Sequence, residues 1–117
     1  MTNEKEALML GTVIRTTRTM AGLTLRACAK HVGISPSYLS DIENGRRIPA
    51  ENVLGKIADV LRMDIDMLMA MGGRLGKRVK YYMRCNPTAI VLLRKLAEVN
   101  APVSILQEII KRLEEAR

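Results

Sequence analysis

Between Gly22 and Gly45 the chain reads GLTLRACAKHVGISPSYLSDIENG, and this stretch limits the possible folds more than any other. Thr24 is suited to cap a helix that starts at Leu25, because its hydroxyl can accept from an orphan backbone N–H. That helix carries small apolar residues, Ala27, Cys28 and Ala29, and is expected to end at His31 or Val32. Gly33 then supplies the left-handed conformation that a helix terminus followed by a sharp turn requires. Ile34 is expected to return to the core. Ser35 caps a second helix whose first residue, Pro36, has no N–H to lose. This helix is expected over 36–44, closed by Gly45. Leu39 and Ile42 face inward on it, whereas Ser37, Tyr38, Ser40, Asp41 and Asn44 face outward. Its outer face is dressed for contact, not burial.

A helix, a four-residue turn and a short polar-faced helix make up the helix-turn-helix arrangement of DNA-binding proteins. The residues involved resemble the Cro/CI-like (XRE) helix-turn-helix domains of bacterial and phage repressors. Leu23-Thr24, Ala29, Gly33-Ile34-Ser35, Leu39-Ser40 and Ile42-Glu43-Asn44-Gly45 carry the resemblance. Leu10-Gly11, Ile14-Arg15 and Arg18 extend it upstream; Leu54, Ile57-Ala58, Leu61 and Ile65 to Met69 extend it downstream, so that it covers residues 8–72. Two positions depart from the pattern. Thr17 stands where a larger aliphatic residue is usual, and Leu25 where Gln is common, so the DNA contact of that Gln is not carried over.

The resemblance implies a five-helix lambda-repressor-like domain, taken over residues 1–73; charge and helical periodicity in the chain beyond it give a basic helical region over 74–117, and with no β pattern anywhere an all-α fold is expected. The resemblance implies that Pro36, Ser37 and Asp41 approach base edges, with Tyr38 and Ser40 alongside. It implies that Asn44, Arg46 and Arg47 hold phosphates at the end of the recognition helix. It also implies a structural ion pair between Arg18 and Glu43, which would fix the docking angle of that helix without adding much net stability, since desolvation offsets the attraction.

The residues themselves add to this. Arg26 and Lys30, four apart, share one face of the first motif helix, and Arg26 near its N-terminus is poorly placed for the helix dipole. Phosphate is therefore the expected partner of both. Asp41 can accept from a cytosine amino group, pair with a neighbouring arginine, or stand as a solvated charge; the sequence leaves all three roles open.

Charge agrees with a polyanionic partner. Net charge is +7 over 117 residues, with a pI near 9.9. Its distribution is uneven: residues 1–73 hold 9 Lys/Arg against 8 Asp/Glu, and residues 74–117 hold 10 against 4. The nearly neutral first part must therefore gather its DNA-binding charge on one face. With no Trp, no Phe and three Tyr, the core is to be built from Leu, Ile, Val, Ala and eight Met.

Read in order, residues 1–4 are expected to fray, and a first helix runs from about Lys5 to Ala21 with Leu10, Ile14 and Met20 on its apolar positions. After the loop Arg46-Arg47-Ile48-Pro49, a helix over 50–62 buries Val53, Leu54, Ile57, Ala58 and Leu61. Asp64 caps a fifth helix, Ile65 to Met71, and Gly72-Gly73 marks a boundary. Arg74 to Cys85 follows as a basic amphipathic helix with Leu75, Val79, Tyr82 and Met83 on one face. Asn86-Pro87 breaks it. Two further helices, 88–99 and 102–115, are expected to bury Ile90, Leu93, Leu96 and Ala97, and Ile105, Leu106, Ile109, Ile110 and Leu113.

Several chemistries find no residues to carry them. His31 is the sole histidine, and Cys28 and Cys85 lack the partners of a zinc site or a disulfide framework. Cys28 reads as a small core residue. Met67, Met69 and Met71 do not share one helical face and read as packing residues. No catalytic constellation, cofactor motif, signal peptide or apolar run of membrane-spanning length is present. The expected protein is a cytoplasmic, non-enzymatic, sequence-specific transcriptional regulator, a repressor that binds a palindromic operator in double-stranded DNA as a homodimer, with neither metal nor cofactor. The C-terminal helices are the expected dimer or protein-partner surface. Alternatives are an autorepressing antitoxin, an interaction module that keeps the helix-turn-helix shell, and, last, a basic peripheral membrane protein using 74–84.

Overall fold

The computed structural model describes residues 3–117, and among them it contains helices and no strand. The order is α1 (Asn3–Met20), α2 (Leu25–Val32), α3 (Pro36–Glu43), α4 (Glu51–Leu61), α5 (Ile65–Met71), α6 (Lys77–Cys85), α7 (Pro87–Glu98) and α8 (Val103–Glu115). The expected all-α class is the one found. Fraying was expected over 1–4; Met1 and Thr2 lie outside the described residues, while Asn3 and Glu4 already belong to α1. Two compact units divide the chain, Met1–Gly76 and Lys77–Arg117.

In the first unit, local chemistry sets the helix boundaries. The Thr24 hydroxyl accepts from the Ala27 N–H at 3.1 Å, and Gly33, at φ 87°, ends α2 by donating to the Ala29 carbonyl. Ser35 Oγ accepts from the Tyr38 N–H at 3.1 Å, and Pro36 opens α3. Asp64 caps α5 through the Asp66 N–H at 2.9 Å. α3 stops at Glu43, one residue short of the expected end, and Asn44 serves as its C-cap.

Leu10 and Ile14 of α1, Cys28, Ala29 and Val32 of α2, Leu39 and Ile42 of α3, Leu54, Ile57, Ala58 and Leu61 of α4, and Leu68 of α5 form one buried cluster. Each fully buried Leu or Ile stabilises by about 1.5–3 kcal/mol relative to exposure, so this aliphatic core holds without Phe or Trp. Ile34 and Val53 pack against its edge. Met20 does not: as the last residue of α1, just before the chain turns through Gly22 (φ 75°), it is 83% exposed.

α1 packs against α3 and α5, and α2 against α3 and α4. The α1–α3 crossing is close. A Cβ on Gly11 would lie 2.3 Å from the Ile42 carbonyl oxygen and 2.5 Å from that of Glu43. One residue past Asn44, Gly45 has φ 75°, and a Cβ there would come within 2.8 Å of Leu8 Cα. The C-terminal end of α3 therefore sits directly on the backbone of α1.

The second unit is built differently. α6 begins at Lys77, not at Arg74, because Gly76 takes φ 84°; Leu75 therefore lies outside the helix and cannot share its apolar face. Pro87 occupies the first turn of α7, where its missing N–H costs nothing. None of α6, α7 and α8 contains a buried residue. The expected burial of Ile90, Leu93, Leu96, Ala97, Ile105, Leu106, Ile109, Ile110 and Leu113 is thus corrected: all are exposed or half-exposed in the single chain. Periodicity made these faces apolar, but three short helices leave no further layer to cover them.

Candidate nucleic-acid interface

The position of α3 is set from α1 by a hydrogen-bonded cluster around Glu43. This carboxylate is 2% exposed and receives Arg18 in a two-pronged pairing, Nε to Oε2 at 2.6 Å and Nη2 to Oε1 at 3.0 Å. Such a fork fixes direction as well as distance. Arg18 Nη1 also donates to the Leu23 carbonyl at 2.9 Å, tying in the entry to α2. Its hydrogen bond to Glu43 raises the Arg18 pKa above the ordinary value, against the opposing effect of burial. Cys28 lies in the same core, where burial pushes its thiol pKa up, partly offset by the nearby Arg18. It stays a neutral packing residue.

Arg15, one helical turn before Arg18, extends the cluster outward. It donates to Glu43 Oε1 at 3.4 Å and to Asn44 Oδ1 at 2.7 Å. Asn44 in turn donates to the Ser40 carbonyl at 2.8 Å and to Ser40 Oγ at 3.3 Å. Asn44, expected to hold a phosphate, is thus engaged along the end of its own helix. No role was assigned to Arg15 from the sequence, although its spacing of three from Arg18 places both on one face of α1.

An open groove lies between α2 and α3. Leu25, Arg26, Pro36, Ser37, Ser40, Asp41 and Arg46 line it. Four residues expected near bases and two expected on phosphates therefore converge on one surface. Leu25 makes the α2 wall apolar where the family often has Gln. Lys30 is exposed one turn along α2 from Arg26.

One residue of α3 is placed differently from expectation, and a second takes one of the roles expected for it. Tyr38 was expected on the outer face; instead it is half-buried against the core, with the Arg47 guanidinium 4.8 Å from the centre of its ring. Asp41 pairs with Arg46, Oδ1 to Nη1 at 3.3 Å, the arginine-pairing role left open by the sequence. Both contacts join residues of α3 to the loop just behind it, and the ring contact of Tyr38 was not read from the sequence.

With eight residues, α3 is about 12 Å long, and a major groove about 12 Å wide admits one helix. Its core-facing residues, Leu39, Ile42 and Glu43, are buried, while Ser37 and Ser40 stay accessible between flanking arginines. A capped α2, a glycine turn and an α3 held at a fixed angle with a polar outer face define a helix-turn-helix DNA-binding domain.

The comparisons with known proteins agree. The family model described as a helix-turn-helix domain, HTH_31, matches residues 9–71, more than half of the chain. The chain belongs to this family, as an XRE-type helix-turn-helix DNA-binding protein. The ImmF control region 10 kDa protein of Bacillus phage phi105 is 41% identical over 59 residues, covering 50% of this chain and 66% of the phage protein. The uncharacterized HTH-type transcriptional regulator MT0491 of Mycobacterium tuberculosis (strain CDC 1551 / Oshkosh) is 38% identical over 65 residues, covering 56% of this chain and 46% of that protein. The chain thus spans between about half and two thirds of the length of these relatives. Among solved structures, the restriction-modification controller protein C.AhdI from Aeromonas hydrophila is similar with a TM-score of 0.55 and 25% identity, covering 58% of this chain and 99% of that one.

Among the described residues, no group of three or more His, Cys, Asp or Glu is placed to hold a metal ion, and no helix is long and apolar enough to cross a membrane.

Proposed function

We propose that the protein is a sequence-specific transcriptional regulator that acts in the cytoplasm as a homodimer and represses from a palindromic operator. The observation that carries this reading is the α2–α3 groove, which gathers Arg26 and Arg46 around the accessible face of α3 in a region that is nearly neutral overall. Ser37, Ser40 and the ring of Pro36 meet base edges, and Arg26, Lys30, Arg46 and Arg47 meet phosphates on either side. The names of the mycobacterial regulator and of the Aeromonas controller protein support regulation as the outcome of binding.

One helix of this length reads too few base pairs for high specificity, and doubling the unit over a palindrome is the general solution. The apolar faces of α7 and α8, uncovered in the single chain, supply the surface for it.

Selection of bound sequences from a random DNA pool tests the reading. Two inverted half-sites, separated by about one helical turn of DNA or a multiple of it, are the expected product. Single half-sites would reject the homodimer, and no enrichment at all would reject DNA recognition. A reporter with the selected site across its promoter should fall when the protein is expressed; a rise would mean activation in place of repression.

A further inference from the structure

Beyond the residues that meet DNA, the polar face of α3 also acts on its own flanking loop. We propose that Tyr38 and Asp41 are positioning residues: the Tyr38 ring holds Arg47, and the Asp41 carboxylate holds Arg46, so that both arginines are pre-set for phosphate. This assignment rests on the DNA-binding reading above and removes Tyr38 and Asp41 from the set of base readers.

The geometry on each side supports it. Tyr38 is a rigid platform, because its ring packs on the core and its backbone N–H is bound by the Ser35 cap. The Arg47 guanidinium lies 4.8 Å from the centre of that ring, within reach of a cation–π attraction. Arg46 is tied twice to the same residue: its backbone N–H donates to the Asp41 carbonyl at 2.8 Å, and its side chain to the Asp41 carboxylate at 3.3 Å. The anchor of its main chain and the guide of its side chain therefore coincide.

Electrostatics points the same way. An unpaired acid on a DNA-facing helix repels phosphates, whereas a paired one does so far less. The Asp41–Arg46 pair is exposed on both sides, with side-chain exposures of 36% and 65%, so it adds little to folding stability. Holding an arginine in place before DNA arrives lowers the ordering cost at the moment of binding. Ser37, Ser40 and Pro36 are left to read bases.

Double substitutions test this with the full-length chain and a site selected by the wild type. Asp41→Ala alone should weaken binding about two- to fivefold, the range of an exposed ion pair, with base preference unchanged at every half-site position. In an Arg46→Ala background the sign should reverse: with no arginine to hold, Asp41 only repels, so its removal tightens binding. Tyr38→Leu, which keeps apolar packing but loses the π face, should weaken binding about two- to fivefold and should have no effect in an Arg47→Ala background. Tyr38→Phe should bind as the wild type does.

Lost preference at a single base position in Asp41→Ala would make Asp41 a base reader and overturn the proposal. So would unchanged or tighter binding by Asp41→Ala alone, or single-substitution effects that persist without the partner arginines. A wild-type chain that enriches no sequence overturns the DNA reading and this proposal together; the other outcomes overturn this proposal alone.

Discussion

At the scale of single residues, Gly11 shows two physical effects of opposite sign. Glycine inside a helix costs about 1 kcal/mol relative to alanine, so Gly11→Ala should stabilise α1 if propensity decided. Its Cβ, however, would fall 2.3 Å from the Ile42 carbonyl oxygen, and the backbone of α3 would have to move. Such overpacking costs typically about 1–3 kcal/mol. Gly11→Ala should therefore lower the urea midpoint of the first unit's unfolding and also weaken DNA binding, since α3 would be lifted from its seat; an unchanged or raised midpoint would refute the close approach. The sequence shows a glycine at this position but not its neighbour, because Ile42 lies 31 residues further along the chain. Other features were legible for the opposite reason. The Thr24, Ser35 and Asp64 caps and the Gly33 turn depend on atoms within a few residues, so their chemistry can be read locally. Arg18 and Glu43 could be paired only through family resemblance. Asp41–Arg46, five residues apart, was open as one of the roles of Asp41, whereas Arg15–Asn44 and Tyr38–Arg47 depend on how α1, α3 and the following loop are set in space, which no local pattern encodes.

At the scale of helices, α6 carries Lys77, Arg78, Lys80 and Arg84 with no acidic residue, whereas Arg74 is turned back to the Pro49 and Ile48 carbonyls at 3.4 and 3.5 Å. The basic helix expected from Arg74 to Cys85 is therefore a four-cation helix preceded by an arginine with a different task. Each cation of α6 that meets a phosphate steepens the dependence of log K on log salt by about 0.9. Replacing Lys77, Arg78 and Arg84 with Gln should flatten that slope while the selected sequence stays the same. Equal slopes for variant and wild type would show that α6 does not touch DNA. Helix boundaries also explain the shift from expectation here: the apolar period ran on through Leu75, but Gly76 at φ 84° places the start of α6 after it.

At the scale of the whole molecule, the two units differ in how they are held together. The first has an interior; the second, residues 77–117, has no buried residue in any of its helices. Chains near this size seldom hold a fold alone without a disulfide, a metal or association. The full-length protein should sediment as a dimer at tens of micromolar, and the melting of its second unit should shift upward with protein concentration. Leu106→Glu with Ile110→Glu should give a monomer whose first unit still unfolds cooperatively. A wild-type monomer under the same conditions would refute association through these helices. A different consequence follows from the seating of α3 on α1. The residues that anchor this helix, Leu39, Ile42 and Glu43 with Gly45 behind it, are distinct from those it displays, Pro36, Ser37 and Ser40. On the proposed reading, in which the displayed residues meet base edges, exchanging those three side chains would transplant operator choice between relatives, and a lineage could acquire new target genes without renegotiating its fold.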